Sequence, residues 1–209
     1  MNSVLFEGHY SGWRETRIAK LVRIMGSDWF PGKSVLELGA AYGHIGKRMV
    51  DLGCSTVVCA EGRAEHIERM KQLHPEVTPL HLDLDSKWDL SRQFDLVIHW
   101  GVMYHLDDWK DSLARAIQHA PFVCLETEVS ATIDPTFDIK VGEFGFDQAL
   151  NGTGSRPSPA HIEATVMENG ATYERYDHSD INFAFHLYDW DSNDGKWEHG
   201  RRRFWMIRR

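Results

Sequence analysis

Residues 35–46 read VLELGAAYGHIG. An apolar run carries one acid, Glu37, and breaks into glycines at 39, 43 and 46. A strand that enters such a turn lets the backbone approach a ligand closely. Dinucleotide recognition needs Gly-x-Gly-x-x-Gly, and the second of those positions is Ala41 here. A phosphate-cradling loop needs Gly-Lys followed by Ser or Thr, and Gly46-Lys47 is followed by Arg48. Glu37 would repel a pyrophosphate and attract an ammonium group. The spacing therefore points to a nucleoside that bears an amino acid. Further along, His99, Trp100, Tyr104, His105, Glu126 and Glu128 gather at the ends of apolar runs. A histidine there suits proton abstraction near neutral pH, which makes His99 and His105 candidate bases. Glu126 and Glu128 are candidates to act as base, to steer a cationic acceptor or to help hold a metal.

At Glu37-x-Gly39-x-x-x-Gly43 the sequence resembles the class I S-adenosylmethionine-dependent methyltransferases. The features that follow in register are similar too: Glu61 at the end of a second apolar run, Asp83-Leu84 after a third, and FDLVIHWGVMYHL as the fourth. The resemblance implies a Rossmann-like α/β fold whose seven-stranded sheet is mostly parallel with an antiparallel last strand, helices lying on both faces. It implies S-adenosylmethionine as cofactor, S-adenosylhomocysteine as product, and direct in-line displacement. Carried over position by position, the cofactor side is Glu37, Gly39, Ala40, Tyr42, Gly43, Glu61, Gly62, Asp83, Leu84, His99 and Trp100. Glu61 takes the ribose and Asp83 the adenine amino group, with Asp85 competing for that role. Trp13 and Arg14 stand where the family folds a helix over the cofactor, so Arg14 is a candidate partner for its carboxylate. The catalytic candidates are His99, His105 and Glu126. A nicotinamide-dependent oxidoreductase and a cofactor-binding subunit without turnover remain the alternatives. WRE and GVMYH are also loosely similar to the transfer RNA wobble-uridine carboxymethyltransferases, which keeps an RNA nucleoside as the alternative acceptor.

The elements that must position these residues follow from hydrophobic periodicity. Short apolar runs alternate with longer amphipathic ones, the pattern of a parallel sheet covered by helices. Ile18, Leu21, Val22 and Met25 predict a helix ahead of the first strand. The runs SVLELG, STVVCAE, TPLHLDL, FDLVIHW and APFVCLETE predict five strands. Helices are expected after the first, second and fourth of them, and another over SPAHIEATVMENG, with Ser158 or Pro159 at its start and Gly170 as its stop. ATYERYD and RRFWMIR complete the sheet. The arginines around the last run are expected to be solvated strand ends. Residues 131–159 predict a long loop or lid, and NDG at 193–195 predicts a turn within 179–200.

One domain over 1–209 is expected, with 1–30 as a helical cover and with 131–159 and 179–200 on the acceptor side. Phe137, Phe144, Phe146, Asn151, Arg156, His186, Tyr188 and Trp190 supply aromatic walls and polar handles for a small-molecule acceptor. A net charge of −8 argues against bulk nucleic acid. The twelve histidines show no HxH or HxxxH spacing, so no metal is expected. Three cysteines without a CxxC pair point to a reducing cytoplasm. No run is long enough to span a membrane, and a monomer or homodimer is expected.

Overall fold

The computed structural model describes residues 10–191 and 198–209. The start of the N-terminal cover and the NDG turn lie outside them. In chain order the elements are α1 (Ser11–Met25), β1 (Ser34–Leu38), α2 (His44–Asp51), β2 (Thr56–Glu61), α3 (Ala64–Leu73), β3 (Thr78–His81), β4 (Leu96–Trp100), α4 (Trp109–His119), β5 (Phe122–Glu128), β6 (Asp138–Gly142), β7 (Thr153–Pro157), α5 (Pro159–Glu168), β8 (Thr172–Arg175) and β9 (Arg202–Arg208). Seven strands pair in the order β3-β2-β1-β4-β5-β9-β8, and β9 runs antiparallel to both its neighbours. This is the fold the sequence leads one to expect.

The central strands β1 and β4 are covered on both faces, which is why they read as continuous apolar runs. One core joins Leu36, Leu38 and Val97 to Leu113 and Ile117 of α4 and Ile162 and Val166 of α5. The other joins Val35, Leu96 and Ile98 to Leu21 of α1, Met49 of α2 and Ile67 and Met70 of α3. Ser158 caps α5 by accepting the His161 N–H at 3.0 Å, and Gly170 closes the turn behind it at φ +73°. Cys54, Cys59 and Cys124 are free and buried.

Two expectations need correction. Residues 131–159 are not a structureless loop, because β6 and β7 pair as an antiparallel ribbon, Asp138 opposite Pro157 and Gly142 opposite Thr153. Its short strands are rich in glycine and charge, so the apolar alternation that marks a strand is missing. The arginines at the start of β9 are not solvated either. Arg202 and Arg203 are buried, because acids of neighbouring elements receive them. Among the described residues, no helix is long and apolar enough to cross a membrane.

Candidate active site

Two cavities of about 360 and 110 Å³ open beyond the carboxyl ends of β1, β2, β4 and β5, where the strand order reverses. Both are walled by Gly39, Ala41, Gly101, His105, Asp147 and Gln148. The smaller continues to Glu61, Gly62, Leu84 and Asp85, and the larger to Arg14, Glu37, Tyr42, Trp100, Tyr104 and Arg156.

The turn after β1 is shaped by backbone the side chains cannot supply. Gly39 has φ +69°, and a Cβ there would stand 2.5 Å from the Val102 side chain. Gly43 begins α2 at φ +77°. Between them Ala41 holds φ +47°, a sparsely populated conformation for a residue with a Cβ. What holds it is Glu61, whose Oε2 accepts the Ala41 N–H at 2.8 Å while Oε1 accepts the Arg63 N–H at 2.9 Å. Burial works against the Glu61 anion. Its contacts with His66, 3.5 Å away, and with these two N–H groups outweigh that and hold its pKa below the usual range. The end of β2 thus carries a fixed negative charge. Each oxygen has accepted one hydrogen bond and retains acceptor capacity.

Glu37 lies under the first turn of α2, accepting the otherwise unpaired Gly46 N–H at 2.8 Å and facing Cys59 Sγ at 3.3 Å. Burial pushes its carboxyl up to about 7, a little offset by Cys59, Gly46 and Arg14. The pair Glu37 and Arg14 therefore puts one acid and one cation in the wall of the same cavity.

Ala40, Tyr42 and Trp100 line the larger cavity, Gly62 and Leu84 the smaller. Gly43 lines neither, although its left-handed backbone turns the chain into α2. Asp83 is also outside both walls, its Oδ1 accepting the Asp85 N–H at 3.0 Å, whereas Asp85 lines the smaller cavity. Two catalytic candidates fall elsewhere. Successive residues of a strand face opposite ways, so while Trp100 faces the cleft, His99 turns into the core beneath α4. It is fully buried 3.4 Å from Ser112 Oγ, and burial lowers its pKa to about 3. Glu126 is fully buried among cations. It accepts from Arg202 Nε at 2.5 Å, from Arg202 Nη2 and the Gly101 N–H at 3.1 Å each, and from the Tyr188 hydroxyl.

His105 alone of the three borders both cavities. It closes a 3₁₀ turn, Met103–His105, after β4, and its Nδ1 lies in hydrogen-bond contact with Glu143 Oε2. The neighbouring Tyr104 ring lies between two guanidinium groups, Arg156 at 4.9 Å and Arg202 at 4.7 Å. Glu128 stands 3.4 Å from both Arg156 Nε and His199 Nδ1 and 3.6 Å from Arg202 Nη1. Of the residues read as acceptor handles, Arg156 and His186 line the cavity, while Asn151 donates to Asp85 at 3.3 Å. Tyr188 is fully buried against Glu126, and Phe144 projects into solvent. Glu143 and Arg202 escaped sequence reasoning. The only signals were an acid between the glycines of VGEFG and the arginine run near the C-terminus. Among the described residues, no group of three or more His, Cys, Asp or Glu side chains is placed to hold a metal ion.

An S-adenosylmethionine-dependent methyltransferase from Mesorhizobium loti superposes with a TM-score of 0.62 at 13% identity, over 88% of this chain and 98% of that one. The N-terminal domain of EvdMO1, with SAH bound, gives 0.69 at 18% identity over 95% and 81%. Magnesium protoporphyrin IX methyltransferase (ChlM) from Synechocystis PCC 6803, with SAM bound, gives 0.63 at 15% identity over 100% and 85%. No curated protein matches by sequence. Residues 10–135, more than half of the chain and the part that builds both cavities' floor, match the family model for a methyltransferase domain, and the chain belongs to that family.

Proposed function

We propose that this methyltransferase moves the methyl group of S-adenosylmethionine to a small-molecule acceptor by direct in-line displacement. The residues present fit such a donor. Glu61 offers two anionic oxygens for ribose hydroxyls, Leu84 and Asp85 offer an apolar face and an acceptor for adenine, and Glu37 with Arg14 offers opposite charges for an amino acid. When bound, S-adenosylmethionine supplies a sulfonium-activated methyl group, leaving as S-adenosylhomocysteine.

The observation that carries the acceptor class is the far end of the larger cavity. Beyond Gly101 it is lined by Trp13, Tyr104, Arg156, Phe185 and His186, and the ribbon β6–β7 supplies its roof through Val141 and Gly142. A walled pocket of this size suits a metabolite. The described parts of the two insertions, 131–159 with 179–191 and 198–200, thus supply the acceptor side. With such a donor in place, His105 would take the proton that the acceptor loses, on Nε2. Asp85, rather than Asp83, meets the adenine amino group. Trp100 and Gly101 hold the cleft wall between the two substrates. Among solved structures of similar fold, ChlM is a magnesium protoporphyrin IX methyltransferase and DhpI is seen in complex with SAM and HEP, which supports the small-molecule reading.

Incubation with S-adenosylmethionine labelled in the methyl group, together with a cell extract separated into low-molecular-weight, RNA and protein fractions, tests the reading. Label is expected in the low-molecular-weight fraction. Label confined to RNA or protein overturns it.

A further inference from the structure

Glu143 belongs to the segment joining β6 to β7, outside the seven-stranded sheet, yet it is the carboxylate that meets His105. Its side chain is buried. Oε2 accepts from His105 Nδ1 and from the Ala149 N–H at 3.2 Å, and Oε1 accepts from Arg156 Nη2 at 2.5 Å. Burial resists its ionisation, but His105 and then Arg156 prevail and hold its carboxyl below the usual range.

An ionised carboxylate only accepts hydrogen bonds, so the hydrogen of a neutral His105 must reside on Nδ1. The lone pair is then on Nε2, for which the described residues provide no hydrogen-bond partner. The ring borders both cavities, so this nitrogen is the one available to a ligand.

The ribbon that carries Glu143 is seated by a series of contacts with the sheet's loops. Arg63 Nη2 donates to the Gln148 carbonyl at 2.7 Å, Ser155 Oγ to the Leu106 carbonyl at 2.7 Å, and Arg156 Nη1 to the Tyr104 carbonyl at 2.7 Å. Gly154 permits the approach, since a Cβ there would stand 2.5 Å from the Tyr104 carbonyl oxygen and 2.8 Å from Glu143 Cδ.

We propose that Glu143 is the positioning residue for His105, delivered by the β6–β7 ribbon: it fixes the imidazole tautomer and aims Nε2 into the cavity only while the ribbon is seated. The proposal rests on His105 being the proton acceptor. It adds that the ribbon lining the acceptor side also sets the base.

Nitrogen-15 NMR of histidine-labelled protein at alkaline pH reads the tautomer directly, with His105→Asn assigning the signal. The wild type is expected to carry the hydrogen on Nδ1. Glu143→Gln, whose amide can donate as well as accept, should lose that preference while binding S-adenosylhomocysteine as before. An Nε2–H tautomer in the wild type, or an unchanged tautomer in Glu143→Gln, overturns the proposal. If Glu143→Gln does not fold, Gly154→Ala, which displaces the ribbon with Glu143 intact, should produce the same loss of preference. Turnover of the labelled low-molecular-weight acceptor separates the two levels. His105→Ala should slow it by about 10²-fold or more. Glu143→Gln should slow it by about 10-fold or more, and by nothing further in the His105→Ala background. A fast His105→Ala removes the base itself. A slow His105→Ala beside a fast Glu143→Gln, or additive losses, removes only the role of Glu143.

Discussion

Arg202 and Glu126 meet diagonally across the antiparallel pair β5–β9, with Nε 2.5 Å from Oε1 and Nη2 3.1 Å from Oε2, both side chains essentially inaccessible to water. Burial alone would raise the Glu126 carboxyl, but Arg202 and then Arg17 overcome it and hold its pKa at about 2. This pair fixes the edge of the cleft, since Glu126 also accepts the Gly101 N–H. Glu126→Ala leaves buried guanidinium groups without their counter-charge and should cost about 3–5 kcal/mol in denaturant unfolding. The same carboxyl adds stability above its unfolded pKa of about 4.3. That contribution is lost as pH falls toward 2, so Glu126→Gln should flatten the acid limb of the stability curve.

Glu37 predicts how donor binding depends on pH. Its carboxyl is raised to about 7 by burial, so below that pH the unliganded site holds it protonated. An ammonium group beside it favours the ionised form. The affinity for S-adenosylhomocysteine should therefore rise as pH increases through about 7, with proton release on binding. Calorimetry in buffers of different ionisation enthalpy measures that release. Glu37→Gln should abolish it and weaken binding by roughly 10-fold, a charge-assisted hydrogen bond's worth.

Glu61 joins the ribose site to the strained turn, because one oxygen already holds the Ala41 N–H. Removing it affects both. Glu61→Ala should weaken S-adenosylhomocysteine binding by about 10²-fold or more, the loss of two hydrogen bonds to a charged group. Glu61→Gln keeps one acceptor and should fall between. A thermal shift on adding the ligand, large in the wild type and absent in Glu61→Ala, is the simplest measurement. A variant that retained the full shift would move the ribose elsewhere.

How much of this was legible depends on whether a residue's role is local. Gly39, Glu61 and Leu84 follow apolar runs in register, so the resemblance to the class I methyltransferases could carry them over to the cleft, and they line it. His99 and Trp100 show the limit of that logic. The run FDLVIHW is buried on both faces, so apolarity does not reveal which of the two looks into the cleft. Glu126 looked like a base because its cation, Arg202, arrives from a strand that follows it by more than seventy positions. Glu143 lies just past the end of β6, in a ribbon whose strands are too short and too polar to announce themselves.

Asp85 and Asp83 separate cleanly by experiment. Asp85 borders the smaller cavity, and burial raises its carboxyl against the N–H of Asp108 and the amide of Asn151. Asp83 spends Oδ1 on the turn that presents Asp85. Asp85→Ala should weaken S-adenosylhomocysteine binding by roughly 10-fold with little change in stability. Asp83→Ala should instead lower the thermal midpoint and affect binding less. A larger binding loss in Asp83→Ala would return the adenine amino group to Asp83.

His99 tests the assignment of the base from the opposite side. It is buried and neutral, its pKa depressed to about 3 by burial alone. The unfolded chain takes up that proton near pH 6.5. The neutral core histidine is therefore fully stabilising above about 6.5, and its contribution erodes as pH falls from there toward 3. His99→Leu, close in volume, should cost about 1.5 kcal/mol or less at pH 7. It should remove this erosion, so that the difference between wild-type and variant stability shrinks or reverses between pH 6.5 and 3. Taking the difference cancels the opposing contributions of Glu37 and Glu126, which both chains share. Methyl transfer should be unchanged within a few-fold, because the imidazole faces α4 rather than the cleft. A His99→Leu enzyme that bound its cofactor normally yet lost turnover by 10²-fold would put the base on β4 and take it from His105.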